Sequence, residues 1–151
     1  MRLFKFALLV ILAGVLFQSC GRCHNMDCPV NYHGQFRIVS AMDGKDLVFG
    51  PNKIYDKDQI KFYSLKGADT TYFGFSSIKV WNIVDSILFV KFYPINDIAY
   101  MRLSNGDVDT ITISYDTFDL KCCGVTHKIS NFSFNNSVTL PDDKGTREIK
   151  K

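Results

Sequence analysis

Hydrophobic and polar residues alternate in short stretches along most of the chain, and turn-forming residues separate these stretches. In residues 110–115 the odd positions are Ile, Ile and Tyr, whereas the even positions are Thr, Thr and Ser. This period of two is typical of a β-strand with one buried face and one solvent-facing side. Asn105-Gly106 and Asn135-Asn136 predict hairpin turns. Strands are predicted over residues 35–39, 46–49, 59–65, 71–75, 78–83, 87–93, 100–103, 110–115, 128–134 and 137–140.

The number and spacing of these stretches predict an all-β fold. Roughly eight to ten short strands with regular turn signals are typical of sandwiches and barrels. We expect a single antiparallel β-sandwich of the immunoglobulin- or transthyretin-like kind, with a small β-barrel as the alternative. Residues 87–93 are largely apolar on both faces, so this strand is expected to be central and covered on both sides.

The N-terminal residues have the pattern of an export signal. Arg2 and Lys5 are followed by twelve apolar residues, 6–17. A helix of that length spans about 18 Å, well short of the roughly 30 Å hydrocarbon core of a bilayer. A basic start, a short apolar segment and then a small residue, here Ser19, favour a secretory signal over the alternative of an uncleaved anchor.

Cys20, directly after Ser19, distinguishes lipidation from ordinary secretion. The segment 17–20, Phe-Gln-Ser-Cys, resembles the lipobox of lipoproteins from Bacteroidetes-type bacteria. That resemblance implies that residues 1–19 are a lipoprotein signal peptide and that Cys20 carries the lipid. Two or more acyl chains anchor a protein stably to a membrane. We therefore expect a lipid-proximal tether over residues 20–31, the β-sandwich over 32–140 and a polar C-terminal tail over 141–151.

Charge excludes one class of partner. The formal net charge is +3, and residues 1–19 contain two basic residues and no acidic one, so the mature chain has a charge of +1. The charges are interspersed and form no basic stripe, which argues against nucleic-acid binding.

Four cysteines remain after lipidation, namely Cys23, Cys28, Cys122 and Cys123. A bond between the adjacent Cys122 and Cys123 would hold two Cα atoms about 3.8 Å apart, closer than disulfides usually allow. Cys23 or Cys28 is therefore expected to bond to Cys122 or Cys123. If the paired segment is extended, adjacent side chains point to opposite faces, so one bond is easier than two and the other thiol would be buried.

Other chemistry finds weaker support in the sequence. A zinc site is one alternative, with candidate ligands Cys23, His24, Cys28, Cys122, Cys123 and His127. Their spacings do not match a zinc knuckle, and an oxidising compartment favours disulfides. The C-x-x-C at 20–23 lacks a thioredoxin-like context, and residues 105–109 lack the distal glutamate of a calcium loop. We therefore predict no metal and no cofactor.

Catalytic motifs are missing from the sequence as well. It contains no G-x-S-x-G elbow and no H-E-x-x-H. A carboxylate pair of the glycosidase type need not be close in sequence, so an envelope hydrolase remains the alternative function. The aromatic cluster at residues 72–75 with Trp81 could stack on sugars if exposed, but strand spacing favours core positions.

Three tripeptides, at residues 69–71, 85–87 and 109–111, resemble the O-glycosylation pattern of Bacteroidetes-type bacteria. The candidate acceptors are Thr70, Ser86 and Thr110. Thr110 is expected to be the best of them, because it lies opposite the apolar face of its strand.

Residues 101–113, the Cys-Cys-Gly at 122–124 and residues 129–135 resemble the C-terminal half of small Bacteroidetes-type outer-membrane lipoproteins of unknown function. The resemblance implies an envelope location and a β domain. The residues after Cys20 lack the acidic run that marks surface export in similar lipoproteins, which favours the periplasmic face of the outer membrane. We expect a non-enzymatic domain for binding, adhesion or assembly, with an envelope protein or a glycan as its partner.

Overall fold

The structure is a computed structural model that describes residues 28, 31–79, 86–136, 138–140 and 145–151. Of these residues, Cys28 and Thr117–Thr126 belong to one compact unit, and the rest belong to a second unit, Asn31–Asp116 with His127–Lys151. A short 3-10 turn lies at Lys57–Gln59. The described strands are β1 (His33–Val39), β2 (Lys61–Lys66), β3 (Asp69–Phe73), β4 (Phe75–Lys79), β5 (Ser86–Lys91), β6 (Ile98–Ser104), β7 (Asp107–Leu120), β8 (Gly124–Phe134), β9 (Val138–Leu140) and β10 (Thr146–Lys150).

The strands form two sheets. One has four strands in the order β10-β1-β5-β4, and the other has six in the order β3-β2-β6-β7-β8-β9. β1 and β10 are parallel, whereas β1–β5, β4–β5, β2–β3, β2–β6, β6–β7 and β8–β9 are antiparallel. The sheets are not closed into a barrel. The prediction of an all-β sandwich is therefore confirmed, and the alternative of a small barrel is wrong.

Phenylalanine rings fill the space between the two sheets. Phe36 on β1 and Phe92 just after β5 come from the four-stranded sheet, and Phe62, Phe73 and Phe132 come from the six-stranded one. All five are at most 4 % exposed. Contacting rings have centroids 5.3–6.4 Å apart, and most of the pairs meet edge to face, an arrangement that the ring quadrupoles favour. This cluster joins the two sheets into one core.

Gly34 permits the closest of these approaches. A Cβ at this position would lie 2.6 Å from the Phe36 ring and 2.9 Å from the Phe132 ring. Those two rings have centroids 5.3 Å apart. A side chain at residue 34 would therefore have to displace a fully buried ring.

Two hairpin turns lie where the sequence predicts them. Gly106 has φ +93° between β6 and β7, and Asn135 and Asn136 have φ values of 46° and 60° between β8 and β9. Glycine and asparagine adopt positive φ at the lowest cost. The Asn135 side chain also accepts a hydrogen bond from the Thr110 N–H and donates one to Asp109 Oδ1. The last turn is thereby fastened to β7.

The prediction of a polar tail over residues 141–151 is wrong for residues 146–150, and residues 141–144 lie outside the described part of the chain. Thr146–Lys150 form β10, which pairs with β1, and Ile149 is 1 % exposed in the core. Arg147 is also buried, with its guanidinium carbon 4.4 Å from the centroid of the Phe132 ring. A cation on an aromatic ring compensates part of its lost hydration. The segment has one aliphatic residue, so alternation could not mark it as a strand.

A second strand prediction, over residues 46–49, is also wrong. Asp46 forms only an isolated bridge with Val39. Its side-chain Oδ1 accepts hydrogen bonds from the N–H groups of Val48 and Phe49, at 2.8 and 2.7 Å. A carboxylate that bonds to the backbone just ahead of it bends the chain and competes with sheet pairing. The predicted strand over 78–83 is described only as far as Lys79, where β4 ends.

The smaller unit contains the turn between β7 and β8. Cys122 and Cys123 lie in this turn, and Cys123 is bonded to Cys28 with a Cα–Cα distance of 5.7 Å. This is one of the pairings that the sequence left open. The expectation that only one of the adjacent cysteines would form a disulfide is wrong, because Cys122 is half-buried and disulfide-bonded as well. The expectation assumed an extended chain, in which neighbouring side chains diverge, whereas a turn imposes no such alternation.

Candidate binding site

A shallow groove lies where β1, β5 and β4 run side by side in the four-stranded sheet. Its volume is about 430 Å³. The sheet register brings its parts together, because His33 pairs with Lys91 and Ser76 pairs with Phe89. The lining residues are His33, Gly74, Phe75, Ser76, Phe89, Lys91 and Tyr93. We refer to this feature as the His33 groove.

Aromatic rings and one cation dominate the His33 groove. The His33 ring stacks on Phe89 with centroids 4.6 Å apart, and Tyr93 is 60 % exposed. Lys91 Nζ lies 5.9 Å from the centre of the Tyr93 ring. Burial and, secondarily, the positive charge of Lys91 lower the pKa of His33 below its ordinary value of 6.5. At neutral pH the histidine is therefore uncharged, and Lys91 is the cation of the groove.

A smaller cavity of about 160 Å³ adjoins the first and shares His33 and Phe89 with it. Its other lining residues are Asn31, Gln35, Ile129, Gly145 and Arg147. Gln35 Oε1 accepts a hydrogen bond from the Thr146 hydroxyl at 3.2 Å. Among the residues that the structure describes, neither cavity has an acidic one in its lining. The groups available to a ligand are therefore aromatic faces, amides and cations.

Asp107 and Asp109 are two carboxylates that lie outside both cavities and already have partners. Lys151 Nζ lies 2.8 Å from Asp107 Oδ1 and also contacts Asp109, which is 4 % exposed. Tyr55 donates a hydrogen bond to Asp107 Oδ2 at 2.8 Å, and Asn135 donates one to Asp109. Lys151, Tyr55 and Asn135 thus occupy the oxygens that a calcium ion or a catalytic proton transfer would need.

The pKa values in this cluster follow from the same contacts. Burial raises the pKa of Tyr55 to about 12, with a further contribution from its hydrogen bond to Asp107. Burial alone would raise the pKa of Asp107, but the hydrogen bonds from Lys151 and Tyr55 outweigh it and lower this pKa. Both carboxylates are adjacent to the hairpin turn at Gly106, and Asp109 is buried.

The structure shows the state of several residues that the sequence offers as candidate zinc ligands. Cys28 and Cys123 are covalently bonded to each other, so neither thiolate is available to zinc. Among the residues that the structure describes, no three His, Cys, Asp or Glu side chains gather as a metal site would require. Cys20, Cys23 and His24 lie outside the described residues.

The candidate glycosylation sites differ in exposure. Thr70 lies on β3 and is exposed, whereas Thr110 on β7 is only half-exposed. Ser86 begins β5, opposite Lys79. Tyr100 lies directly opposite Thr110 on the neighbouring strand. Exposure therefore favours Thr70 over Thr110 as the glycan acceptor.

The aromatic cluster at residues 72–75 divides between core and surface. Phe73 is 4 % exposed and Phe75 packs against the core, but Tyr72 is 62 % exposed. Trp81 lies outside the described residues. The expectation of core positions is therefore confirmed for the phenylalanines and wrong for Tyr72.

Searches against protein-family models, curated proteins and solved structures found no match to this chain. Within the described ranges, no helix is long and apolar enough to cross a membrane.

Proposed function

We propose that this chain is a lipid-anchored protein of the bacterial envelope and that its β-sandwich is a non-enzymatic binding domain. The anchor is assigned to Cys20, following the basic and apolar export signal of residues 1–19. The proposed location is the periplasmic face of the outer membrane. The binding partner is an envelope glycan or an envelope protein.

The His33 groove is the observation that carries the proposed binding role. Its described lining offers an open aromatic surface with one cation and no carboxylate. A glycosidase needs two carboxylates that flank the scissile bond, with a separation of about 5–10 Å. Asp107 and Asp109 are close together, but they lie outside both cavities and both are paired with Lys151. The groove can therefore hold a ligand by stacking and charge, and its described residues supply no acid–base pair.

Binding at the groove is tested with two substitutions of exposed residues. Lys91→Gln removes the cation, and Tyr93→Ala removes the exposed ring. We expect each to reduce retention of an envelope glycan or protein fraction on the immobilised full-length protein by about tenfold. Met42→Ala, at a side chain that is 96 % exposed and outside the groove, is the control. Equal retention by all variants would contradict the proposed role of the groove.

The anchor is tested separately. Cys20→Ser should abolish labelling with radioactive palmitate and release the protein from membranes or leave it as an unprocessed precursor. A variant that is labelled and fractionates like the wild type would refute the assignment. Hydrolysis of envelope polysaccharide by the wild-type protein would instead favour the alternative, an enzyme.

A further inference from the structure

Three tyrosines lie side by side on the outer face of the six-stranded sheet. Tyr63 on β2 pairs with Tyr72 on β3 and with Tyr100 on β6. The ring centroids of Tyr63 and Tyr72 are 6.0 Å apart, and those of Tyr63 and Tyr100 are 5.4 Å apart. We refer to Tyr63, Tyr72 and Tyr100 as the tyrosine row. It crosses three adjacent strands, on a different sheet from the His33 groove.

The alternation of each strand places the tyrosine row away from the core. The sequence neighbours Phe62, Phe73 and Met101 are at most 4 % exposed, and successive side chains on a strand point to opposite faces. Tyr72 is 62 % exposed. Within the described part of the chain, none of the three phenol oxygens has a hydrogen-bond partner. The row therefore presents contiguous aromatic surface and three unused hydroxyl groups.

Two cations flank the tyrosine row. Lys61 and Arg102 are directly opposite each other on β2 and β6, two residues along from the Tyr63–Tyr100 pair and therefore on the same face of the sheet. Lys61 Nζ lies 5.7 Å from the centre of the Tyr72 ring. Neither cation forms an ion pair with an acidic residue among those that the structure describes. The outer face at this point is therefore aromatic and positively charged.

The next strand adds one hydroxyl group beside the row. On β7, Thr110 is opposite Tyr100, and Val108 is opposite Arg102. The hairpin has two acidic residues, Asp107 and Asp109, and both are paired with Lys151. Asp109 is opposite Met101 and is buried on the other face. The charge that complements this surface is therefore negative.

We propose that the tyrosine row, with Lys61 and Arg102, binds an anionic polysaccharide. A row of rings across three adjacent strands suits an extended polymer, because the C–H groups of sugars pack against aromatic rings. Ring spacings of 6.0 and 5.4 Å are close to the length of one hexose unit. Arg102 and Lys61 donate charge-assisted hydrogen bonds to the carboxylate groups of the polymer. The tyrosine hydroxyls form hydrogen bonds with its sugar hydroxyls. This binding does not depend on the His33 groove or on the lipid.

The test measures binding of the purified full-length protein to polygalacturonate, with uncharged dextran as the comparison polymer, by affinity electrophoresis. We expect polygalacturonate to retard the protein and dextran to leave it unretarded. Added salt should weaken the binding, since the cations are solvent-accessible. Tyr72→Ala, and the pair Lys61→Gln with Arg102→Gln, should each weaken it by about tenfold.

The other sheet supplies matched controls. Tyr93 is 60 % exposed, nearly the same as Tyr72, and lies beside Lys91 in the His33 groove. Tyr93→Ala and Lys91→Gln should leave polygalacturonate binding unchanged, even though they impair the groove. Binding lost in the Tyr93 variant but kept in the Tyr72 variant would overturn the proposal. So would the absence of binding to polygalacturonate, or equal binding to dextran.

Discussion

Truncation of Phe92 is the sharpest test of the core. This ring is fully buried and packs against four other phenylalanine rings, with centroids 5.4–6.4 Å away. Replacing a buried phenylalanine with alanine typically costs about 3–5 kcal/mol, from reduced burial and the cavity that remains. Each aromatic pair contributes about 0.5–1.5 kcal/mol beyond burial, so we expect the cost of Phe92→Ala to lie near the upper end of that range. A domain of this size has about 5–15 kcal/mol of stability in total.

Phe92→Leu separates volume from aromatic contact. Leucine retains most of the volume, so the expected loss is smaller, about 1–2 kcal/mol. Urea unfolding followed by circular dichroism gives both losses from the shift in midpoint at constant slope. The control is Phe118→Ala, because Phe118 is 45 % exposed and its truncation should cost less than about 1 kcal/mol. A Phe92→Ala loss no greater than that of Phe118→Ala would refute the assignment of Phe92 to the centre of the core.

Three further predictions concern other parts of the structure. The pKa of Asp107 is lowered below 3.8 in the folded protein. Its ionised carboxylate therefore stabilises the fold at pH values above 3.8, and this stabilisation is lost as the pH falls through the pKa of the folded protein. Asp107→Asn should therefore lower the melting temperature at pH 7, and its difference from the wild type should vanish in strong acid; a difference independent of pH would contradict this. Cys28 and Cys123 are 95 residues apart in sequence, so removing their bond alone, in a Cys28→Ser and Cys123→Ser double variant, should lower the free energy of unfolding by up to about 4–5 kcal/mol. Non-reducing peptide mapping should recover these two cysteines in one linked peptide, and finding both thiols unbonded would refute the pairing. Gly34→Ala places a Cβ 2.6 Å from the Phe36 ring, so we expect a loss of about 1–3 kcal/mol in the same urea assay; unchanged stability would show that the rings can shift at no cost.

Strands with local signals could be predicted from the sequence, and strands defined by distant partners could not. The hairpin of β6 and β7 needs only alternation and a glycine turn, and both are visible in the chain. β10 has no such signal, because Thr146–Lys150 pair in parallel with β1 across more than a hundred residues of sequence. Its ladder of backbone hydrogen bonds depends on where β1 lies. Because the segment is polar, its sequence alone could not predict the strand that completes the four-stranded sheet.

The His33 groove could not be predicted for a related reason. Its main side chains come from β1, from β5 and from the segment that follows β5. Only the register that pairs His33 with Lys91 brings these residues together. A site assembled by sheet pairing has no signature within any one strand.

The choice between phenylalanine and tyrosine does carry information about the two faces of a strand. The five rings in the centre of the core are all phenylalanine, and the three rings in the row on the outer face of the six-stranded sheet are all tyrosine. A buried phenol without a partner costs about 1–3 kcal/mol, so tyrosine is disfavoured in an apolar core. Two tyrosines that pack against the core have such a partner: Tyr55 donates to Asp107, and Tyr115 donates to the Asn96 carbonyl.

On β2, β3 and β6 the tyrosines occupy outward-facing positions, where polar residues are usual, and their sequence neighbours are buried apolar residues. A small polar side chain or a charged one, without an aromatic ring, would favour solubility more at those positions. Large rings are costly to leave in water, because each exposes apolar area that the core could have buried. Three tyrosines lie opposite one another on adjacent strands, with two cations beside them. Such a surface suits contact with an anionic sugar polymer better than exposure to water.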